Sequence, residues 1–247
     1  VSKVLVITGG GRGIGAATAR LAAAQGYALC LNYQHNQHAA EALAQELREQ
    51  TPVIVVQADV ALESGVLRLF ETVDRELGRV TALVNNAGIV ETQSRLEGMS
   101  AERLKRVFDT NILGSFLCAR EAVRRMSTQN GGNGGAIVNV SSAASRLGSP
   151  GEYIDYAASK GAVDSLTLGL SKEVALEGIR VNAVRPGFIY TDIHARGGEP
   201  NRVERVKEFV PMKRGGAAEE VAQAIVWLLS EQASYITGAL LDVAGGR

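Results

Sequence analysis

Short runs of β-branched and other apolar residues recur along the chain, each followed by a longer stretch with helical spacing. This alternation predicts an α/β fold, a doubly wound parallel sheet with helices on both faces. The candidate strands are VLVIT (4–8), ALCLNY (28–33), VIVVQA (53–58), ALVNN (82–86), AIVNVS (136–141), IRVNAVR (179–185) and ALLDVA (239–244). Their hydrophobicity is continuous rather than alternating, as expected of seven strands buried on both sides. Helical spacing starts between 13 and 15 and runs to 26, then recurs over 37–50, 63–77, 100–128, 155–177 and 217–230. The glycine-rich NGGNGG at 130–135 reads as a mobile surface loop without chemistry. The charged stretch from Asp192 to Arg214, with Gly197, Gly198, Pro200 and Pro211, exceeds a simple crossover and reads as a lid over the site; a merely decorative insertion is the rival reading.

Composition narrows this picture. At 247 residues and 46% hydrophobic, the chain suits one domain over 1–247. Twenty-six basic residues balance 26 acidic ones, so no long-range field favours nucleic acid or an anionic membrane, and small-molecule partners are expected. Cys30 and Cys118 sit among apolar neighbours and read as small buried hydrophobes rather than a disulfide. The first residues, VSKVLVITGG, show no targeting pattern, and no apolar run approaches the roughly 20 residues that span a bilayer, so a soluble cytoplasmic protein is expected. No metal site is expected.

The first strand passes into TGGGRGIG and then a helix, which places a glycine-rich turn at a helix N-terminus. Unpaired amides and the positive end of the helix dipole meet there, and glycine lets the backbone approach a pyrophosphate closely. The spacing of Gly9, Gly13 and Gly15 departs from the commoner GxGxxG, and an ordinary turn is the bland alternative. At the end of the second strand an acid would select NAD by bonding the ribose hydroxyls. The chain instead reads Asn32, Tyr33, Gln34, His35 and Asn36, without an acid, while Arg12 in the glycine loop can pair with a 2′-phosphate. NADP is therefore favoured over NAD. Arg12 as a solvated charge, or Asn32 as a partner for a hydroxyl, are the competing readings.

Tyr156 and Lys160 are four residues apart in a helical stretch, which sets phenol and ammonium on one face. An unperturbed tyrosine, with a pKa of roughly 10, is a poor base near neutrality, but a nearby ammonium and an oxidised nicotinamide would both favour its phenolate. Tyr153 is a poorer candidate, since Ala157 follows it at the same spacing.

TGGGRGIG, NNAG at 85–88, Asn111, VSS at 140–142, YAASK at 156–160, RPG at 185–187 and ITGALLDVAGG occur in one order across nearly the whole chain. The sequence in this respect resembles the short-chain dehydrogenases/reductases, bacterial glucose 1-dehydrogenase-like and 3-oxoacyl-carrier-protein reductase-like members among them. The resemblance implies a Rossmann-type sheet and a catalytic set of Asn111, Ser142, Tyr156 and Lys160. Ser142 would bond the substrate oxygen, Tyr156 exchange its proton, Lys160 bind the nicotinamide ribose, and Asn111 hold a water of the proton relay. Ser141 is expected to point the other way. For the dinucleotide it implies Gly9, Arg12, Gly13, Ile14 and Gly15 at the phosphates, Asn32 and Tyr33 at the ribose, and Asp59 and Val60 at the adenine, with Asp59 as a helix cap the rival reading. Asn86, Ala87 and Gly88 would flank the adenosine ribose, and Pro186, Gly187, Ile189 and Thr191 the nicotinamide.

His194, Arg196, Glu199 and Arg202 in the lid suggest a polar substrate, a secondary alcohol or ketone such as a sugar. A carrier-protein-bound 3-oxoacyl group is the alternative, with Arg124, Arg125 and Lys172 as a basic dock. A non-catalytic dinucleotide sensor is the reading from another class. The apolar surplus of 100–128 and 155–177 and the family's habit imply a homotetramer.

Overall fold

The computed structural model describes residues 3–247. Seven strands form one parallel sheet: β1 (Val4–Ile7), β2 (Ala28–Tyr33), β3 (Val53–Gln57), β4 (Ala82–Asn85), β5 (Gly135–Val140), β6 (Ile179–Pro186) and β7 (Leu240–Val243). Their order, β3-β2-β1-β4-β5-β6-β7, reverses direction between β1 and β4, and in such sheets the crevice beyond the carboxyl ends at that point holds ligands. Helices α1 (Gly13–Ala24), α2 (Gln37–Leu47) and α3 (Glu63–Glu76) follow the first three strands, and α4 (Ala101–Phe108) and α5 (Gly114–Met126) separate β4 from β5. Then come α6 (Ala144–Leu147), α7 (Ile154–Glu173), α8 (Ile193–Arg196), α9 (Arg202–Val206) and α10 (Ala218–Leu229).

The continuous apolar strands are sorted by the two-residue period into two cores. Leu5, Ile7, Ala82, Val84, Ala136 and Val138 face α1, α2 and α10. Val4, Val6, Leu83, Ile137, Ile179 and Val181 face α3, α5 and the end of α7. Cys30 and Cys118 are both buried on the second side, and burial pushes the Cys118 thiol up to about 12, so neither behaves as a reactive thiolate.

Two expectations change. The helix expected over 100–128 is interrupted by a π turn at Asp109–Leu113 between α4 and α5, and Asn111 sits in that wide turn. NGGNGG is not a loose surface loop. A Cβ on Gly132 would lie 2.2 Å from the Met126 carbonyl oxygen, and one on Gly134, at φ +78, 2.4 Å from that of Gly178. These glycines let the chain press against the end of α5 before entering β5, with the Gly134 amide donating to the Met126 carbonyl at 2.8 Å.

A buried polar chain registers the helices on the sheet. The Asn85 amide donates to Asn139 Oδ1 at 2.9 Å and to the Ser115 carbonyl at 3.1 Å, and the Asn139 amide donates to Thr167 Oγ1 at 2.9 Å. Strands β4 and β5 are thereby tied to α5 and α7, and α7 carries the candidate acid/base. Among the described residues no helix is long and apolar enough to cross a membrane.

Candidate active site

A cleft of about 650 Å³ opens at the carboxyl ends of the strands, beside the reversal of strand order. One wall is the glycine loop. Gly9 and Gly13 adopt φ +62 and +52, and a Cβ on Gly15 would lie 2.7 Å from both the Gly9 carbonyl oxygen and Asn86 Nδ2, so the loop folds back on itself without room for a side chain. No side chain caps α1, which leaves its first-turn amides, those of Gly13, Ile14 and Gly15, free for an anion. Thr8 and the turn after β4 brace the loop: the Asn86 and Ala87 amides each donate to Thr8 Oγ1 at 3.0 Å, and Asn86 Nδ2 donates to the Thr8 and Gly9 carbonyls. Gly9, Arg12, Gly13, Ile14, Asn86, Ala87 and Gly88 all line the cleft.

Asn32 does not reach out to a ribose. It is buried; its Oδ1 accepts from the Gly9 amide at 3.3 Å and its Nδ2 donates to the carbonyls of Tyr33, Val56 and Ala58. The polar end of β2 thus supports the loop from beneath, because an interior amide must satisfy its donors and acceptor within the protein. Tyr33, Asp59 and Val60 lie outside the lining of the cleft, beyond the glycine loop. Asp59 Oδ1 accepts from the Ala61 amide at 2.9 Å, which closes the turn ahead of α3; it does not cap that helix, whose N-cap is Leu62 with no side-chain bond.

The opposite wall carries the catalytic candidates. Strand β5 ends at Val140, and the Ser141 and Ala143 amides donate to the Val184 and Pro186 carbonyls, both at 2.9 Å, which holds the serine turn against β6. Ser141 points inward and donates to the Lys160 carbonyl at 3.2 Å, whereas Ser142 lines the cleft with Tyr156 and Lys160. Lys160 Nζ donates to the Val140 carbonyl at 2.8 Å and lies 5.5 Å from the centre of the Tyr156 ring. Asn111 is reached through the π turn: its Nδ2 donates to the Ile89 carbonyl and to Ser159 Oγ, each at 3.0 Å, and its Oδ1 accepts from the Ile89 amide at 2.8 Å. Ser159 in turn donates to the Tyr156 carbonyl at 2.7 Å, so Asn111 braces the turn that carries the tyrosine. A Cβ on Gly88 would sit 3.4 Å from Lys160 Nζ and 3.5 Å from Asn111 Oδ1, which brings the NNAG turn, ammonium and asparagine together.

The protonation balance differs from the sequence expectation. In the protein alone burial pushes the Tyr156 phenol up to about 12, with the Ser142 hydroxyl pulling the other way. Burial pushes the Lys160 ammonium down to about 8, and Asp164 opposes that shift. The ammonium is directed at a carbonyl rather than the phenol oxygen, so desolvation decides the tyrosine. A raised acid keeps its proton to higher pH. Difference absorbance between wild type and Tyr156→Phe is thus expected to show no tyrosinate from Tyr156 until the pH passes the ordinary tyrosine value of about 10. An onset below about pH 10 in the protein alone would contradict this assignment. Added oxidised dinucleotide should move the onset downward.

Pro186 and Gly187 close the cleft from β6. A Cβ on Gly187 would lie 2.8 Å from Ala244 Cα, so glycine is needed where the chain passes the residue that follows β7. The backbone N–H of Ile189 makes no backbone hydrogen bond among the described residues, and Thr191 faces the glycine loop, 3.3 Å from the Cβ position of Gly13. Free first-turn amides, a free amide at Ile189 and a Cβ-free cradle suit an extended dinucleotide.

The lid is folded as α8 and α9, and its charges mostly satisfy one another. His194 Nε2 is 2.9 Å from the Ile189 carbonyl, Glu199 pairs with Arg202 and Arg205, and Arg202 also pairs with Glu152. The polar groups read as substrate contacts are thus largely engaged, apart from the exposed Arg196. The Tyr153 hydroxyl donates to the Gly197 carbonyl at 3.2 Å, which ties the lid to the start of α7. Tyr153, Glu152, Phe188 and Arg247 line the cleft without having been singled out as contacts, since stacking and ion pairs between distant segments leave no local pattern. The expected basic dock is also occupied: Arg124 pairs with Glu121, and Arg125 with Glu121 and Asp74, leaving Lys172 exposed.

Residues 9–247 match the family model described as enoyl-(acyl carrier protein) reductase. The uncharacterised oxidoreductase YgfF of Escherichia coli is 60% identical over 245 residues, 99% of each chain. A 3-oxoacyl-[acyl-carrier-protein] reductase of Synechocystis is 38% identical over 247 residues, covering 99% of this chain and 96% of that protein. The 3beta-hydroxysteroid dehydrogenase 1 of Eggerthella lenta is 39% identical over 246 residues, covering 99% and 93%. With the seven-stranded doubly wound sheet and its helices, these likenesses identify the chain as a member of the short-chain dehydrogenase/reductase family, an oxidoreductase of CH–OH and C=O groups.

Proposed function

We propose that the protein is an NADP-dependent oxidoreductase that interconverts a secondary alcohol and a ketone on a polar compound, a sugar among the candidates. The carrying observation is one cleft that joins the free amides of α1 to Ser142, Tyr156 and Lys160. A nicotinamide dinucleotide supplies the hydride there; positioning it is the protein's task. In this reading Gly9, Gly13, Ile14 and Gly15 hold the pyrophosphate, Asp59 and Val60 with Tyr33 meet the adenosine end, and Asn86, Ala87 and Gly88 flank its ribose. Pro186, Gly187, the Ile189 amide and Thr191 orient the carboxamide. Ser142 donates a hydrogen bond to the substrate oxygen and Tyr156 exchanges a proton with it. Lys160 exchanges its Val140 carbonyl for the ribose hydroxyls, and Asn111 holds the relay water.

Selection of NADP rests on the missing acid after β2 and on Arg12, which lines the cleft and joins no ion pair among the described residues. Arg12→Ala is expected to weaken NADPH binding by about tenfold to a hundredfold, the range of a charge-assisted hydrogen bond, with little effect on NADH. Titrating both nucleotides against both proteins checks this, and equal losses for the two would overturn the role of Arg12.

A carrier-protein substrate is the second reading, favoured by the names of relatives such as the Synechocystis reductase. It predicts salt-sensitive binding of an acidic carrier protein, for which Lys172 remains unpaired among the expected dock residues. We propose a cytoplasmic homotetramer; the assembly is supported by Leu113 just before α5, Phe116 on α5 and Leu168 on α7, apolar side chains left exposed on the helices expected to pair. Light scattering should give four times the 26.1 kDa chain mass, and a monomer would contradict the assembly.

A further inference from the structure

Two guanidinium groups flank one aromatic ring on the substrate side of the cleft. Arg202 Cζ lies 5.5 Å and Arg247 Cζ 4.7 Å from the centre of the Phe188 ring, and Arg202 also stacks 4.6 Å from Tyr153. The two cations are not equivalent. The Arg202 side chain is 8% exposed and is neutralised by Glu152 and Glu199. Arg247 is half-buried and its guanidinium pairs with no side-chain carboxylate among the described residues; the ring face is its neighbour instead, while its main-chain oxygen accepts from Arg146 at 2.9 Å. An aromatic face stabilises a guanidinium without using its N–H donors, so those donors remain available to a planar or tetrahedral anion.

The acids lining the same cleft do not meet that charge. Glu152 is held by Arg202 and Arg205, and Asp192 is exposed on the lid, next to the likewise exposed Arg196. Apolar Val90, Leu147 and Ile193 line the same cleft. We propose that the carbonyl substrate carries an anionic group, a carboxylate or a phosphate, which docks on Arg247 while its carbonyl rests between Ser142 and Tyr156. This deepens the oxidoreductase reading and rests on it. It also gives the lid a reason for its internal ion pairs: Glu152 and Glu199 are engaged by Arg202 and Arg205 and so do not compete with the anion for Arg247.

Matched probes separate the two anion sources from each other and from uncharged substrates: 4-oxopentanoate against its methyl ester, and dihydroxyacetone phosphate against dihydroxyacetone. With NADPH, wild type is expected to favour the charged member of at least one pair by about tenfold to a hundredfold in kcat/KM. In Arg247→Met, which keeps an unbranched chain over the ring, the charged-to-neutral ratio should fall to near one, and Arg247→Lys should restore part of it. The first pair reports a carboxylate and the second a phosphate. Calorimetric titration of the same four probes into NADP-loaded protein gives the ratio without turnover. If neither charged probe binds or reacts better than its neutral partner, or Arg247→Met lowers both members equally, the inference is overturned. A charge preference in binding with no reduction of any probe would instead count against the oxidoreductase reading.

Discussion

Replacing Tyr156 by phenylalanine is expected to lower kcat by about a hundredfold to ten-thousandfold, the usual contribution of a positioned general acid/base. The substitution keeps the ring that lies 5.5 Å from Lys160 Nζ and removes only the hydroxyl beside Ser142. Dinucleotide binding, followed by fluorescence, should therefore change little, and the loss should appear in the chemical step. Tyr153→Phe is the informative control. It deletes a hydroxyl that donates to the Gly197 carbonyl of the lid, so its effect should be far smaller and should fall on KM. Full turnover in Tyr156→Phe would remove the tyrosine from the reaction, whereas dinucleotide binding by wild type with no turnover of any carbonyl would return attention to a sensor.

The parts that could be read from sequence are those encoded by neighbours in the chain. Continuous apolar runs gave the seven strands to within a residue or two at each end, because a strand buried on both faces must be apolar throughout; the edge strand β7 departs from that expectation, with Leu241 and Asp242 exposed. The glycine loop and the Tyr156–Lys160 spacing were visible for the same reason: a turn and one helical face are local. What escaped depends on distant partners. Asn32 looked like a ribose contact because nothing nearby in sequence shows that Gly9 and the carbonyls of Val56 and Ala58 would use its side chain. The lid residues looked available to substrate because Glu152, which engages Arg202, lies 50 positions away. The π turn that carries Asn111 has no composition signal, and the polar chain from Asn85 through Asn139 to Thr167 exists only once the strands are paired. The acid/base geometry was thus visible early, whereas its electrostatics were not: the tyrosine is held up by burial, a property of the folded site.

Asp155, the residue before the acid/base, should give the largest loss of stability. Its side chain is 1% exposed and that of Arg103 is 9%. Arg103 Nε donates to Asp155 Oδ2 at 2.8 Å, a second nitrogen donates to Oδ1 at 3.3 Å, and the third donates to the Thr92 carbonyl at 2.6 Å. Asp155 Oδ1 also accepts from the Tyr156 amide at 2.9 Å, at the open first turn of α7. One ion pair therefore fixes α4, the chain at Thr92 and the start of the catalytic helix together. Asp155→Asn preserves shape but strands the buried guanidinium, which costs about 3–5 kcal/mol in comparable pairs. At about 2–4 °C per kcal/mol for a domain of this size, the thermal midpoint should fall by roughly 10 °C. Arg103→Met combined with Asp155→Leu removes both charges and leaves neither unpaired, so it should recover much of that loss. The double variant then separates two effects of the pair. Recovered stability with kcat still depressed means that Asp155 also positions Tyr156 through its amide, whereas recovery of both confines the pair to holding the helices together. Strictly additive losses in the double variant would show that the two side chains do not act as a pair.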